Sequence, residues 1–66
     1  MIVNGKEISI KELTEPKIEE LLKKFNIKNK MVAIEINGKI LPKSDWDRHH
    51  LNEEDKIELI RFVGGG

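Results

Sequence analysis

Residues 31–41 read M-V-A-I-E-I-N-G-K-I-L, and their pattern decides the fold. Val32, Ile34 and Ile36 alternate with Ala33 and Glu35, which is the period of a strand with one buried face. Asn37-Gly38 follows, a dipeptide that accepts positive φ at both central positions of a type I′ turn. A two-residue loop sets Ile36 opposite Lys39 and Ile34 opposite Leu41. Leu41 therefore joins the face of Ile34, and Ile40 takes the other. Pro42 ends the strand, having no N–H to give to a ladder.

The same signal recurs upstream at Asn4-Gly5, between residues 1–3 and residues 6–10. Val3 then pairs with Lys6 and Met1 with Ile8. That register puts Met1, Val3, Ile8 and Ile10 on one face and Ile2, Glu7 and Ser9 on the other. Between the two hairpins, Thr14 offers an N-cap and Pro16 suits a first helical turn. Ile18, Leu21, Leu22 and Phe25 have the spacing of one helical face. Glu19–Lys23 and Glu20–Lys24 are i, i+4 pairs, Asn26 is a left-handed stop, and Ile27 folds back on the last turn. A helix of about three turns is expected.

Downstream, Ser44 can cap a short helical turn through Asp45, Trp46 and Asp47, with Trp46 as a lid on the core. Residues 52–55 form a polar turn, and residues 56–63 are the final strand. Ile57 and Leu59 share the core parity, while Glu58, Ile60 and Phe62 have the other. The order is β-β-α-β-β-(short helix)-β. One helix covers one face of the sheet, and parallel pairing of the first and last strands at its centre closes the core. The expected fold class is therefore α+β: a β-grasp (ubiquitin-like) mixed sheet with one main helix on one face. It forms a domain at residues 1–63, with a glycine tail at residues 64–66.

Composition narrows the function. The chain has 66 residues, no cysteine, and 12 basic residues against 12 acidic ones. Disulfides cannot supply stability, and cysteine absence fits a reducing cytoplasm. A net charge of zero gives no field to recruit nucleic acid or a membrane surface. Apolar runs are too short to span a bilayer. A chain of this length also rarely encloses an enzyme-sized cleft, which leaves a binding module or carrier.

Most candidate chemistry has a plain structural reading. His49-His50 are neighbours that point to different faces, with no third ligand to complete a metal site. Asp45, Asp47, Glu53, Glu54 and Asp55 lack calcium-loop spacing and read as a solvated acidic face. Ser9 and Ser44 have no nucleophile-elbow context. Two features remain. One is the open sheet face, where Ile2, Ala33, Ile40 and Ile60 fall on neighbouring strands, with Phe62 at the root of the tail. The other is Gly64-Gly65-Gly66 itself, which reads either as a frayed end or as a tether carrying a bare carboxylate.

Residues 32–46, V-A-I-E-I-N-G-K-I-L-P-K-S-D-W, then the acidic turn, I-E-L-I-R-F-V and G-G-G, resemble the ThiS family. These are ubiquitin-like sulfur carriers of thiamine thiazole biosynthesis. The I-V-N-G-K-E hairpin and the T-x-x-x-I-x-x-L-L helix fit as well. Asn37-Gly38, Pro42, Trp46 and Gly65-Gly66 are the most specific matches, and Gly64 lengthens the minimal diglycine. The resemblance implies that an E1-like enzyme uses ATP and magnesium to adenylate the Gly66 carboxylate. Sulfur from a cysteine desulfurase or another donor then makes a thiocarboxylate, which thiazole synthase consumes. It implies a cytoplasmic protein with no cofactor and no catalytic residues of its own. Small subunits of molybdopterin synthase share the fold and the diglycine on longer chains. A non-covalent interaction domain using Ile2, Ile40 and Ile60, and a lysine-conjugated modifier, are the other readings.

Overall fold

Asn4 and Gly5 have φ of 51° and 81°, and Asn37 and Gly38 have 52° and 87°, so both dipeptides form the left-handed corners that type I′ turns need. The structure is a computed structural model, and it describes residues 1–27 and 31–61. The first turn joins β1 (Ile2–Val3) to β2 (Lys6–Glu7), with Val3 opposite Lys6. Beyond them Met1 and Ile8 exchange two backbone bonds, at 2.8 and 2.9 Å. The second turn joins β3 (Val32–Ile36) to β4 (Lys39–Leu41), with Ile36 opposite Lys39 and Ile34 opposite Leu41. Both registers are those that a two-residue loop imposes.

The last strand, β5 (Lys56–Arg61), lies between the hairpins, parallel to β1 and antiparallel to β3. The sheet order is β2-β1-β5-β3-β4. Val3, Ile34 and Ile57 are fully buried on the inner face, against Ile18 and Leu21 of α1 (Ile18–Lys24), the one α-helix among the described residues. Burying five such side chains is worth about 1.5–3 kcal/mol each. Trp46 closes one end of this core as expected: it is 8% exposed, and its Nε1–H donates to the Leu41 carbonyl at 3.1 Å.

Several local expectations are corrected. Strand β2 stops at Glu7, because Ser9 opens a 3-10 turn at Ile10–Glu12. The Glu12 carboxylate accepts the Ser9 N–H at 2.9 Å, and Ser9 Oγ accepts the Lys11 N–H at 3.1 Å. Thr14 does not cap the helix, and Pro16 lies ahead of its first turn. The Leu51 N–H donates to the Pro16 carbonyl at 2.9 Å, and Lys17 forms an isolated antiparallel bridge with His50. Those contacts hold Lys17 extended, at φ −125° and ψ 152°, so α1 starts one residue later and has seven residues, about two turns.

The C-terminal end of α1 matches expectation in detail. Asn26 has φ 56°, its N–H donates to the Lys23 carbonyl at 3.0 Å, and the Ile27 N–H reaches back to Leu22 at 2.9 Å. This is a Schellman stop with asparagine in the glycine position. Lys24 pairs with Glu12 at 3.2 Å instead of Glu20, which Lys23 takes at 3.4 Å. Ser44 lies inside a 3-10 helix, Lys43–Arg48, whose N-cap is Pro42. None of the helices described is long and apolar enough to cross a membrane.

Candidate functional site

Strand parity separates the two faces of β5. Ile57 and Leu59 point to α1, while Lys56, Glu58 and Ile60 point away from it. On this open face Ile60 stands opposite the half-buried Ala33, Glu58 opposite Glu35, and Lys56 beside Ile2 of β1. Ile40 of β4 stands opposite Glu35. Ile2, Ile40 and Ile60 are 40%, 59% and 45% exposed, and they are three of the four large exposed hydrophobic residues described. Ile2, Ala33, Ile40 and Ile60 thus share one face across β1, β5, β3 and β4. Only Ala33 and Ile60 are direct partners, since Glu35, Glu58 and Lys56 separate the rest.

Phe62, Gly64, Gly65 and Gly66 lie outside the described residues, as does Val63 at the expected end of the strand. The last described position of β5 is Arg61, opposite Val32. Its guanidinium Nη2 donates to the Phe25 carbonyl at 3.4 Å, at the C-terminal end of α1. A cation there also meets the negative end of the helix dipole.

Both turn asparagines hold β5 in place. Asn4 Oδ1 accepts the Leu59 N–H at 2.7 Å, and the Asn4 N–H donates to the Ile57 carbonyl at 2.9 Å. Asn37 does the same from the other hairpin: Oδ1 accepts the Lys56 N–H at 2.9 Å and its N–H donates to the Lys56 carbonyl at 2.8 Å. Asn37 Nδ2 also donates to Asp55 Oδ1 at 3.1 Å.

Asp55 does not belong to a solvated acidic face, because it is 6% exposed. Burial pushes its carboxyl up, but the Asn52 N–H, the Asn37 amide and the His49 imidazole together outweigh burial and hold it below the ordinary carboxylate range. Glu53 is exposed, as that reading expects, and it also bonds within the chain. Its carboxylate accepts the Ile10 N–H and the Ser9 hydroxyl, each at 2.9 Å, and lies 3.5 Å from the Met1 amine. The bonds from Ile10 and Ser9, in that order, lower its pKa.

The two histidines part company. His49 Nε2 is 3.4 Å from Asp55 Oδ2, and His50 is exposed on the bridge to Lys17. Among the described residues no three His, Cys, Asp or Glu side chains converge as a metal site. The sequence alternation set Glu35 on the open face but gave it no role, and the double role of the asparagines was missed. No local signal announces a side chain that bonds a strand some twenty or fifty residues away.

A mixed five-stranded sheet with a parallel central pair and one helix on one face defines the class as a ubiquitin-like β-grasp domain. Comparisons with known proteins make this specific. The model of the ThiS family matches residues 1–66, and the chain belongs to that family. The sulfur carrier protein ThiS of Bacillus subtilis is 38% identical over 64 residues, covering 97% of this chain and 96% of that protein. A thiazole synthase of Paramagnetospirillum magneticum is 33% identical over 66 residues, and the chain spans only 20% of its length. A crystal structure of the thiamine biosynthesis protein ThiS from Geobacter metallireducens superposes with a TM-score of 0.76 at 29% identity, covering 98% and 96% of the two chains.

Proposed function

We propose that this chain is a sulfur carrier for thiamine thiazole synthesis that works through the carboxylate of Gly66. The observation that carries this reading is the match, over nearly all of both chains, to a protein named as a sulfur carrier. An E1-like enzyme, using ATP and magnesium, converts the carboxylate to an acyl-adenylate. The terminal sulfur of a partner's persulfide attacks the acyl carbon and displaces AMP to give an acyl disulfide; a second thiol then attacks the other sulfur, which releases the thiocarboxylate and leaves a disulfide on the donor side. Thiazole synthase takes that sulfur, in keeping with a thiazole synthase that contains a stretch similar to this whole chain. A cysteine desulfurase system is the proposed donor, and the cytoplasm the proposed compartment.

The chemistry of the tail supports the same reading. A carboxylate is a poor electrophile and must enter an active site that activates it. Three extended glycines span about 10 Å, and without Cβ atoms they can thread a narrow channel. The carrier serves as co-substrate, with acid, base and metal supplied by its partners. Incubation with the cognate activating enzyme, ATP and a sulfur source should raise the intact mass by the difference between sulfur and oxygen. Unchanged mass with an enzyme shown to be active would refute the proposal. Deleting Gly66 should abolish the reaction and leave the circular dichroism spectrum unaltered.

A second reading is favoured by the exposure of Ile2, Ile40 and Ile60. In it the open face binds a partner non-covalently and the tail is idle. Ile60→Asp would then abolish function, and tail deletion would not.

A further inference from the structure

Five acidic residues of those described are buried or half-buried: Glu20, Glu35, Asp45, Asp55 and Glu58. Three are matched within the chain. Glu20 meets Lys23 at 3.4 Å, Asp45 meets Arg48 at 3.1 Å, and Asp55 accepts from Asn52 and Asn37. Glu35 and Glu58 have no ion pair or side-chain hydrogen bond to any described residue. Yet they stand directly opposite each other on β3 and β5. Cβ atoms of such a pair are about 4.5–5.5 Å apart, and like charges so placed repel.

Lys56 and exposed isoleucines share the face of Glu35 and Glu58, and Lys56 precedes Glu58 by one repeat on β5 without forming an ion pair to it. Ile40 faces Glu35 across β4, and Ile60 follows Glu58 by one repeat on the same face, opposite Ala33. This half-buried carboxylate pair at the centre of the sheet lacks an ion pair to any described residue and has exposed isoleucines beside it.

We infer that this face receives an arginine side chain of a partner protein, with Glu35 and Glu58 as its two-carboxylate seat and Ile40 and Ile60 as its apolar flanks. The planar guanidinium offers five donors and sheds water more readily than an ammonium group. Its methylene stem suits an apolar rim. Charge complementarity selects this occupant: a second copy docking here would add two more carboxylates at the same place. The inference rests on the sulfur-carrier reading for the partners to be tried, namely the cognate activating enzyme and the cognate thiazole synthase.

The test is calorimetric titration of the full chain with each purified enzyme at low and high salt, beside the intact-mass assay. The double variant Glu35→Gln/Glu58→Gln should bind at least one enzyme about tenfold or more weakly at low salt. Its own unfolding midpoint should hold or rise, because the repulsion has gone. That pairing of weaker binding with undiminished stability is something a misfolded variant cannot produce. Glu19→Gln/Glu54→Gln, which makes the same change in net charge at exposed sites, should bind as the wild type does.

If the wild type acquires sulfur and the Glu35/Glu58 variant binds both enzymes unchanged, the inference is overturned and the carrier reading stands. An equal loss in the control pair would overturn it too, since only overall charge would then matter. So would self-association of the wild type through this face, removed by Ile40→Asp. Wild type that neither binds nor is converted by an active enzyme would overturn the carrier reading, and this inference with it.

Discussion

Asn4 and Asn37 occupy the tips of different hairpins, and both use their side chains on the same strand. Asn4 accepts from Leu59 at 2.7 Å and Asn37 from Lys56 at 2.9 Å, so β5 is clasped from each side. Their positive φ values would suit glycine equally well, but glycine has no carboxamide. Asn4→Gly and Asn37→Gly should each lower stability by about 1–2 kcal/mol, with the turns still formed. Urea unfolding of each variant measures the loss, and an unchanged midpoint would show that water replaces the bond without cost.

Gly5 and Gly38 test backbone strain without steric interference. Both have φ above 80°, and a Cβ built at either meets nothing within 4 Å. Alanine at either position should therefore cost about 1–2 kcal/mol from the left-handed conformation alone. The two variants should be destabilised to a similar extent in the same denaturant series.

Ile57 and Ile60 lie three residues apart on β5 and face opposite ways, being 0% and 45% exposed. Ile57→Ala should cost about 2–5 kcal/mol, enough to unfold much of a domain this small. Ile60→Ala should change stability by only about 0.5 kcal/mol. Thermal melts of the two proteins would check the assigned parity directly.

Asp55 sets an expected acid limb. Its folded pKa is held below its unfolded value of about 3.9, so its stabilising contribution is complete above that value. The contribution is lost as pH falls below about 4 through the folded value. Asp55→Asn should lower stability at neutral pH by about 1–3 kcal/mol and flatten the dependence below pH 4. Glu12 and Glu53 are lowered in the same direction, so some acid sensitivity will remain in the variant.

The large features were legible because short-range rules determine them. Asn-Gly at two places set both hairpin registers, and the spacing of Ile18, Leu21 and Leu22 marked the buried face of α1. Errors arose where a distant segment intervened. Thr14 and Pro16 form a reasonable helix start in isolation, but residues 50 and 51 hold Lys17 extended. Ser9 and Glu12 were a readable capping-box pattern that the alternation of the preceding strand obscured. Asp55 looked like a solvent-facing acid because its bond to Asn37 spans 18 residues, and Glu53, which is exposed as expected, also accepts from Ile10, 43 residues away. On the open face, attention to hydrophobic residues hid the carboxylate pair between them.

The parallel pairing of Ile2 with Lys56 has a consequence for how the protein is made. The central strand is also the last of the five in chain order, so a ribosome delivers the middle of the sheet after both of its flanks. Until β5 emerges, β1 and β3 have no common neighbour, and Ile57 is missing from the core. Folding must then close contacts across most of the chain, which slows it relative to a helical bundle of the same size. A nascent chain truncated within β5 lacks its central strand and remains exposed to proteases, whereas one that has closed its sheet has already synthesised the residues leading into the glycines.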